Sequence, residues 1–285
     1  MAYVAWTMAG STRDRLVGGK ETPLTLREII RHRHLIRTLV VRDLKSRYVG
    51  SVMGLFWAVI NPLILLAVFS FVFATIFKQR VAGGGEENFF LFMFCGLWPW
   101  FAFQEGVSRS SVSLMENANF IKKVVFPAEV LVVSTVLSSF VQQVIGFVFL
   151  FAILAFSGHM GNLLLLLLLP AAFLAQIAFS VGIGWALSSL TVFFRDVAQV
   201  ANALLMVWFY TTPIVYPANL VPPGFKLLLV ANPMHHLLSI YRALILGGHL
   251  PEWSSVAYVA VVAGATFWLG SRLFGSLKGT FADLL

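Results

Sequence analysis

VLVVSTVLSSFVQQVIGFVFLFAILAFSGHMGNLLLLLLLPAAFLAQIAFSVGIGWALSSLTVFF, residues 130–194, contains 65 residues without one Asp, Glu, Lys or Arg. A helix that crosses hydrocarbon needs about 20 apolar residues, so this run is long enough for two. The cluster Ser157-Gly158-His159-Met160-Gly161-Asn162 divides it with turn-forming residues. Residues 128–156 and 163–190 therefore read as consecutive antiparallel membrane spans. Upstream, residues 52–77 are a further 26 residues without charge, and a span at 88–115 follows. Downstream, residues 197–216 and 253–273 complete a set of six. The expected fold is an all-α membrane protein.

Composition agrees. Charged residues make up 11% of the chain and mean hydropathy is +0.87, whereas soluble domains are about 25% charged. A soluble globular domain is excluded. Ten of the twenty Lys and Arg lie in the first 47 residues, and basic loops stay cytoplasmic. With six spans, the cytoplasmic segments hold sixteen basic residues: those ten plus Arg109, Lys122, Lys123, Arg195, Arg272 and Lys278. The outer segments hold four, Lys78, Arg80, Lys226 and Arg242. Both termini are thus expected inside. The net charge of +8 follows from topology and calls for no nucleic acid. Residues 1–22 lack the apolar core of a cleavable signal peptide and read as a poorly ordered cytoplasmic tail. The single cysteine, Cys95, lies in an apolar run and reads as packing.

Residues 23–50 form an expected interface helix. Thr25 and Glu28 have capping-box spacing. Leu26, Ile29, Ile30, Ile36, Val40 and Leu44 share one face, with Arg27, Arg31, Arg42 and Lys45 near the other. Arg33, Arg37 and Arg47 depart from this pattern and lie nearer the apolar side. Such a helix lies in the membrane interface. Residues 51–285 form a single transmembrane domain. Within it, 116–127 reads as a short helix or connector parallel to the membrane. Residues 218–246 are apolar but broken by Pro222-Pro223-Gly224 and Asn232-Pro233. Pieces that short suit two re-entrant helices dipping in from the outer face, with a surface loop as the alternative.

Few polar groups lie at membrane depth. Glu105 and Arg109 have the spacing of an i,i+4 pair. Gln142, Gln143, Gln176, Gln199 and Asn202 suit either bridges between helices or a polar lumen. His235 and His236 are adjacent and point apart on a helix, against a metal pair. No nucleophile–base set appears. Gly19-Lys20 is followed by Glu21, not Ser or Thr, and no glycine stands five residues before Gly19, so this is not a phosphate-binding loop. The chain reads as a non-enzyme that holds no cofactor or metal.

Four stretches, in order, resemble the membrane subunit of type-2 ABC exporters for lipid-linked polysaccharides. They are Arg42-Asp43-Leu44-Lys45-Ser46-Arg47-Tyr48 with Gly50-Ser51, Gly54, Trp57 and Asn61-Pro62; Gly96-Leu97-Trp98-Pro99-Trp100-Phe101; Phe193-Phe194-Arg195-Asp196-Val197; and Thr212-Pro213-Ile214-Val215-Tyr216-Pro217 followed by Asn232-Pro233-Met234. The likeness covers about residues 25–275. It implies a homodimer in the bacterial cytoplasmic membrane, joined to two copies of a separate ATPase subunit that binds ATP and Mg. The implied cargo is a polyprenyl-pyrophosphate-linked polysaccharide of O-antigen, capsule, galactan or teichoic acid type. A type-2 exporter of a lipid or drug is the nearer alternative and a secondary transporter the remoter one.

The resemblance also implies roles for particular residues. Asn119, Phe120, Ile121, Lys122 and Lys123 would form the coupling helix on the ATPase, with Arg195 and Asp196 pairing or capping beside it. Pro213, Pro222, Pro223, Asn232 and Pro233 would shape the outer gate. Sugar rings need aromatic platforms, and Trp98, Trp100, Phe101, Phe103, Tyr210 and Tyr216 are the candidates, against the alternative of an interfacial aromatic belt. A pyrophosphate needs cations near the inner leaflet. Arg42, Lys45 and Arg47 are the candidates there, against a purely topological role.

Overall fold

The computed structural model describes residues 26–48, 56–76, 86–123, 127–156 and 163–285. The tail at 1–22, the Thr25 cap, the Gly50–Gly54 stretch and the turn at 157–162 lie outside them. The described residues form helices and connecting turns without a strand. A short α1 (Leu26–Arg31) leads into α2 (Arg33–Tyr48). Helix α3 (Trp57–Ser70) continues as a π-helix at Phe71–Ile76. The next are α4 (Glu86–Glu116), α5 (Ala118–Lys123) and α6 (Ala128–Phe156). Then come α7 (Leu163–Leu166), α8 (Leu169–Phe193) and α9 (Asp196–Thr211). Short α10 (Lys226–Val230) precedes α11 (Pro233–Arg242), and α12 (Trp253–Leu277) and α13 (Phe281–Leu284) end the chain. Three stretches, Ala128–Phe156, Leu163–Phe193 and Trp253–Leu284, are long and apolar enough to cross a membrane by length and composition.

Two boundaries differ from the sequence reading. The segment 163–190 is interrupted between α7 and α8, where Pro170 stands at the start of α8 and supplies no N–H to the turn before it. Helix α9 stops at Thr211, five residues short of the expected end at 216, because Thr212 precedes Pro213 and takes extended geometry.

The core of the bundle is α4, α6, α8 and α12, with α4 packed on both α6 and α8, and α12 along α8. Lipid offers no hydrophobic gain for joining helices, so close fit has to do that work. Glycine provides it at two crossings. A Cβ on Gly270 would overlap the backbone of Gly182, and one on Gly182 would overlap Thr266. These two helices meet backbone to backbone. On α6, a Cβ at Gly146 would fall inside the indole of Trp98. That indole lies over the glycine, donates from Nε1 to the Gln142 carbonyl at 3.1 Å and stacks on Phe94 with centroids 4.6 Å apart.

The bundle differs along its length. Phe94, Trp98, Trp100, Phe103, Phe147 and Phe179 fill one end. Towards the other end the buried small residues are Ser110, Ser113, Ser134, Ser188 and Ser189. Each of these hydroxyls returns its proton to a carbonyl three or four residues back in its own helix, so no polar group is left over.

Between the two ends, Gln176 Nε2 donates to the Pro99 carbonyl at 2.8 Å. The Tyr241 hydroxyl and Gln143 Nε2 donate to Gln176 Oε1 at 2.7 and 3.0 Å. This buried cluster joins α4, α6, α8 and α11, so Gln143 and Gln176 act as bridges between helices.

The glycine fit is testable. Gly146→Ala should displace the Trp98 ring and destabilise the detergent-solubilised protein by about 2 kcal/mol, the scale of overpacking. Gly264→Ala, which meets nothing within 4 Å, serves as control. Thermal unfolding of the pair checks this, and equal midpoints would refute it.

Candidate functional site: two polar clamps

At the serine-rich end, α2 is tied to the bundle by charge. The Asp43 carboxylate accepts two hydrogen bonds from Arg109, at 2.6 and 2.9 Å, one from Arg47 Nε at 3.0 Å and one from Ser138 Oγ at 2.5 Å. Arg47 also pairs with Glu105 and donates to Ser138 and Ser139 at 2.8 and 3.3 Å. The i,i+4 pair of Glu105 and Arg109 expected from sequence is present at 3.9 Å but is the looser contact. Arg109 turns instead to Asp43, 66 residues away in sequence, because a planar guanidinium fits a carboxylate through two parallel bonds. Burial by itself would raise the Asp43 pKa. Hydrogen bonds from Arg109 and Ser138 and the charges of Arg109 and Arg47 outweigh it and hold the carboxyl at about 2, against an ordinary 3.8.

The three basic residues expected at a phosphate portal separate in the structure. Arg47 is fully engaged in this cluster. Arg42 reaches Asn117 Oδ1 at 3.4 Å and lies over the Phe120 ring, 5.1 Å from its centroid. It therefore links α2 to α5. Lys45 is exposed on α2. On α5, Asn119, Phe120 and Lys122 are exposed and Ile121 is half-buried against the bundle; the Lys123 side chain lies outside the described residues. Arg195 and Asp196 neither pair with each other nor cap: Arg195 precedes α9 without a capping bond. This corrects the expected pair. Both side chains are exposed, where water competes with any such contact, and Asp196 in the first turn of α9 already benefits from the helix dipole.

At the other end, the turn after α9 is held by α11. Asn232 caps α11 by accepting from Met234 N at 3.0 Å and His235 N at 3.4 Å. It also accepts from Trp208 Nε1 at 2.9 Å and donates to Thr212 Oγ1 at 2.8 Å. One residue thus holds the end of α9 and the start of α11 together. Arg242, at the far end of α11, donates to the carbonyls of Pro213 and Ile214, both at 2.9 Å, and lies over Phe92 at 3.6 Å. A Cβ on Gly96 would come within 2.6 Å of the Arg242 guanidinium, which accounts for glycine at that position. Pro233 begins α11, while Pro222 and Pro223 form the exposed turn before α10. The region between α9 and α12 is thus one short exposed helix, α10, and one packed helix, α11. His236 is occupied by Ser255 and the Val230 carbonyl, at 2.9 Å each.

The aromatic residues also divide. Trp98 is 3% exposed and Trp100 and Phe103 are 0%, so in this conformation they belong to the core of the protomer. Trp100 Nε1 has its own internal partner, Gln104 Oε1, at 2.8 Å. Phe101 is half-buried, Tyr216 is half-buried with its hydroxyl donating to the Tyr210 carbonyl at 2.9 Å, and Tyr210 is 59% exposed.

The charge cluster gives a prediction with a definite sign. A depressed carboxyl pKa stabilises the fold above its ordinary value, 3.8, and that contribution disappears as pH falls through about 2. Asp43→Asn should therefore cost about 2 kcal/mol, with the deficit constant from pH 5 to 8. Thermal unfolding of both proteins across that range checks it; a deficit that shrinks towards pH 5 would contradict the assignment.

Residues 34–246 match the ABC-2 type transporter family. The chain is 30% identical over 260 residues to the O-antigen export system permease protein RfbA of Myxococcus xanthus, covering 90% of this chain and 98% of that protein. It is 31% identical over 252 residues to an RfbA permease of Klebsiella pneumoniae, covering 88% and 95%. To the polysialic acid transport protein KpsM of Escherichia coli it is 23% identical over 240 residues, covering 84% and 92%. The matched span takes in both clamps, from α2 through α11, and the chain belongs to the ABC-2 type transporter family of multi-pass membrane permeases.

Proposed function

We propose that this chain is the membrane subunit of an ATP-driven exporter that moves a polyprenyl-pyrophosphate-linked polysaccharide out of the bacterial cytoplasm. The observation that carries the reading is the near full-length similarity to O-antigen export permeases. The working unit is a homodimer with two copies of a separate ATPase, which supplies ATP and Mg binding. Six spans place both termini in the cytoplasm.

Depth supports this topology. With the Asp43 cluster at the inner headgroup level, α4 from Glu86 to Glu105 rises about 30 Å at 1.5 Å per residue, the thickness of a hydrocarbon core. The remainder of α4, down to Glu116, then projects about 16 Å into the cytoplasm and carries α5 with it. Helix α5 thereby becomes a coupling helix whose exposed Asn119, Phe120 and Lys122 face the ATPase. Arg42 ties it back to α2, so a push on α5 reaches the interface helix directly.

The turn at 212–217 with α10 and α11 forms the outer gate, in which α10 and α11 are the re-entrant pair. Its two fastenings, Asn232 and Arg242, are both on α11, so a tilt of α11 moves the turn as a unit. Tyr210, exposed at the end of α9, and Tyr216, half-buried in the turn after it, are the aromatics placed to meet sugar, whereas Phe101 packs against the core. Arg42 and Lys45 remain for the carrier's pyrophosphate, since Arg47 is committed to Asp43 and Glu105. The exposed apolar faces of α3 (Ile64, Val68) and α9 (Leu204, Val207) meet lipid or the second protomer.

The test is reconstitution of this chain in vesicles with the ATPase encoded beside it and a lipid-linked glycan. ATP-dependent appearance of glycan across the membrane, abolished by a hydrolysis-dead ATPase, is the expected result. A stable, ATP-hydrolysing complex that moves a lipid or drug but no glycan would overturn the cargo and keep the exporter. Failure to form a complex would overturn the exporter itself.

A further inference from the structure

The three arginines that break the amphipathic pattern of the interface helix do not share one explanation. Arg47 is consumed by Asp43 and Glu105. Arg33 and Arg37 point elsewhere. They stand at a cavity of about 460 Å³ between α1–α2 and the bundle. Its walls are apolar: Ile30 and Val40 on one side, Leu137 and Val144 on α6, Phe173 and Ile177 on α8. Both arginines are exposed, and among the described residues no carboxylate lies within ion-pair distance of either. The site is an apolar slot with two guanidinium groups at its rim that have no carboxylate partner among the described residues.

We propose that this slot holds one acyl chain of an anionic bilayer phospholipid, with the lipid phosphate seated on Arg33 and Arg37. Basic pockets beside helices at the cytoplasmic face bind anionic headgroups by this chemistry, and guanidinium suits phosphate through paired hydrogen bonds. Charge decides among the possible occupants. Residues 1–25 carry Arg13, Arg15 and Lys20 against Asp14 and Glu21, a net positive charge that does not complement a basic rim. A second copy of this chain would bring the same basic helix. A phosphate-bearing lipid alone complements both the walls and the rim. Its consequence is mechanical: the lipid fills the gap behind α2 at the end opposite the Asp43 fastening, so the interface helix is fixed at both ends. The proposal depends on the interface placement of α2 and is independent of what the exporter carries.

The experiment is native mass spectrometry of the full-length, delipidated protein titrated with phosphatidylglycerol and, separately, phosphatidylcholine. Phosphatidylglycerol should bind at least about tenfold more tightly, the scale expected of two interfacial arginines. Arg33→Gln with Arg37→Gln should remove that preference, whereas Arg31→Gln, on the exposed face, should leave it. Val144→Trp, which fills the slot, should reduce retention of both lipids. Three results would overturn the proposal: an undiminished preference in the double variant, tighter phosphatidylglycerol binding once residues 1–22 are deleted, or displacement of phosphatidylglycerol by equimolar undecaprenyl phosphate. The second would identify the tail as the occupant and the third the carrier lipid. Circular dichroism of each variant separates lost binding from lost fold.

Discussion

Asp43 gathers two guanidinium groups and a serine hydroxyl onto one carboxylate, and that convergence fixes where the interface helix can lie. Ionised groups taken out of water are tolerated when paired. Once Asp43, Arg47, Glu105 and Arg109 are required to meet, α2 has to run along α6 with its C-terminal turn beside Ser138. The depth of α4 is then set as well, because Glu105 and Arg109 belong to it. What lies beyond Glu105 on one side is aromatic and aliphatic, and what lies beyond Arg109 on the other is rich in serine.

A second constraint operates at the opposite end. The chain leaves α9 at Thr211, and the turn that follows is partnered from the two ends of α11: Asn232 holds the Thr212 hydroxyl and Arg242 the carbonyls of Pro213 and Ile214. Arg242 has carbonyl oxygens and a phenyl face as neighbours, and no carboxylate among the described residues is paired with it. It binds a turn without locking it as strongly as an ion pair would. That suits the outer gate proposed for this turn. The inner clamp, built from full charges, is the stiffer of the two.

Much of this was legible in the sequence, and the remainder was hidden for identifiable reasons. Charge-free runs located the long helices, since burial in hydrocarbon leaves a compositional mark that needs no partner to be read. Glu105 and Arg109 were readable as a local pair because their spacing is helical. Asp43 was not, because its partners Arg109 and Ser138 lie on α4 and α6 and only docking brings them together; the available signal was an acid set among five Lys and Arg of the same helix. Trp98 and Trp100 stood out, but their burial depends on Gly146 and Gln104, and an aromatic motif alone does not reveal which way it faces. Arg242 was counted as an outer-loop charge, whereas Gly96 across the bundle is what allows it in. Arg33 and Arg37 were visible as exceptions to a pattern, and only the cavity beside them gives the exception a meaning.

The central claim is that the Asp43 cluster lies at the inner membrane surface, with the end of α4 beyond it in the cytoplasm. Single-cysteine labelling tests it directly, because Cys95 is the only cysteine in the chain and can be replaced by serine. Cysteines at Phe92, Phe101, Val112 and Glu116 would be probed with a membrane-impermeant maleimide in sealed vesicles of known orientation. The account predicts labelling at 116, and more weakly at the packed 112, from the cytoplasmic side alone, with 92 and 101 protected from both sides. Labelling of 116 from the outer side, or of 101 as readily as 116 from the cytoplasmic side, would contradict it.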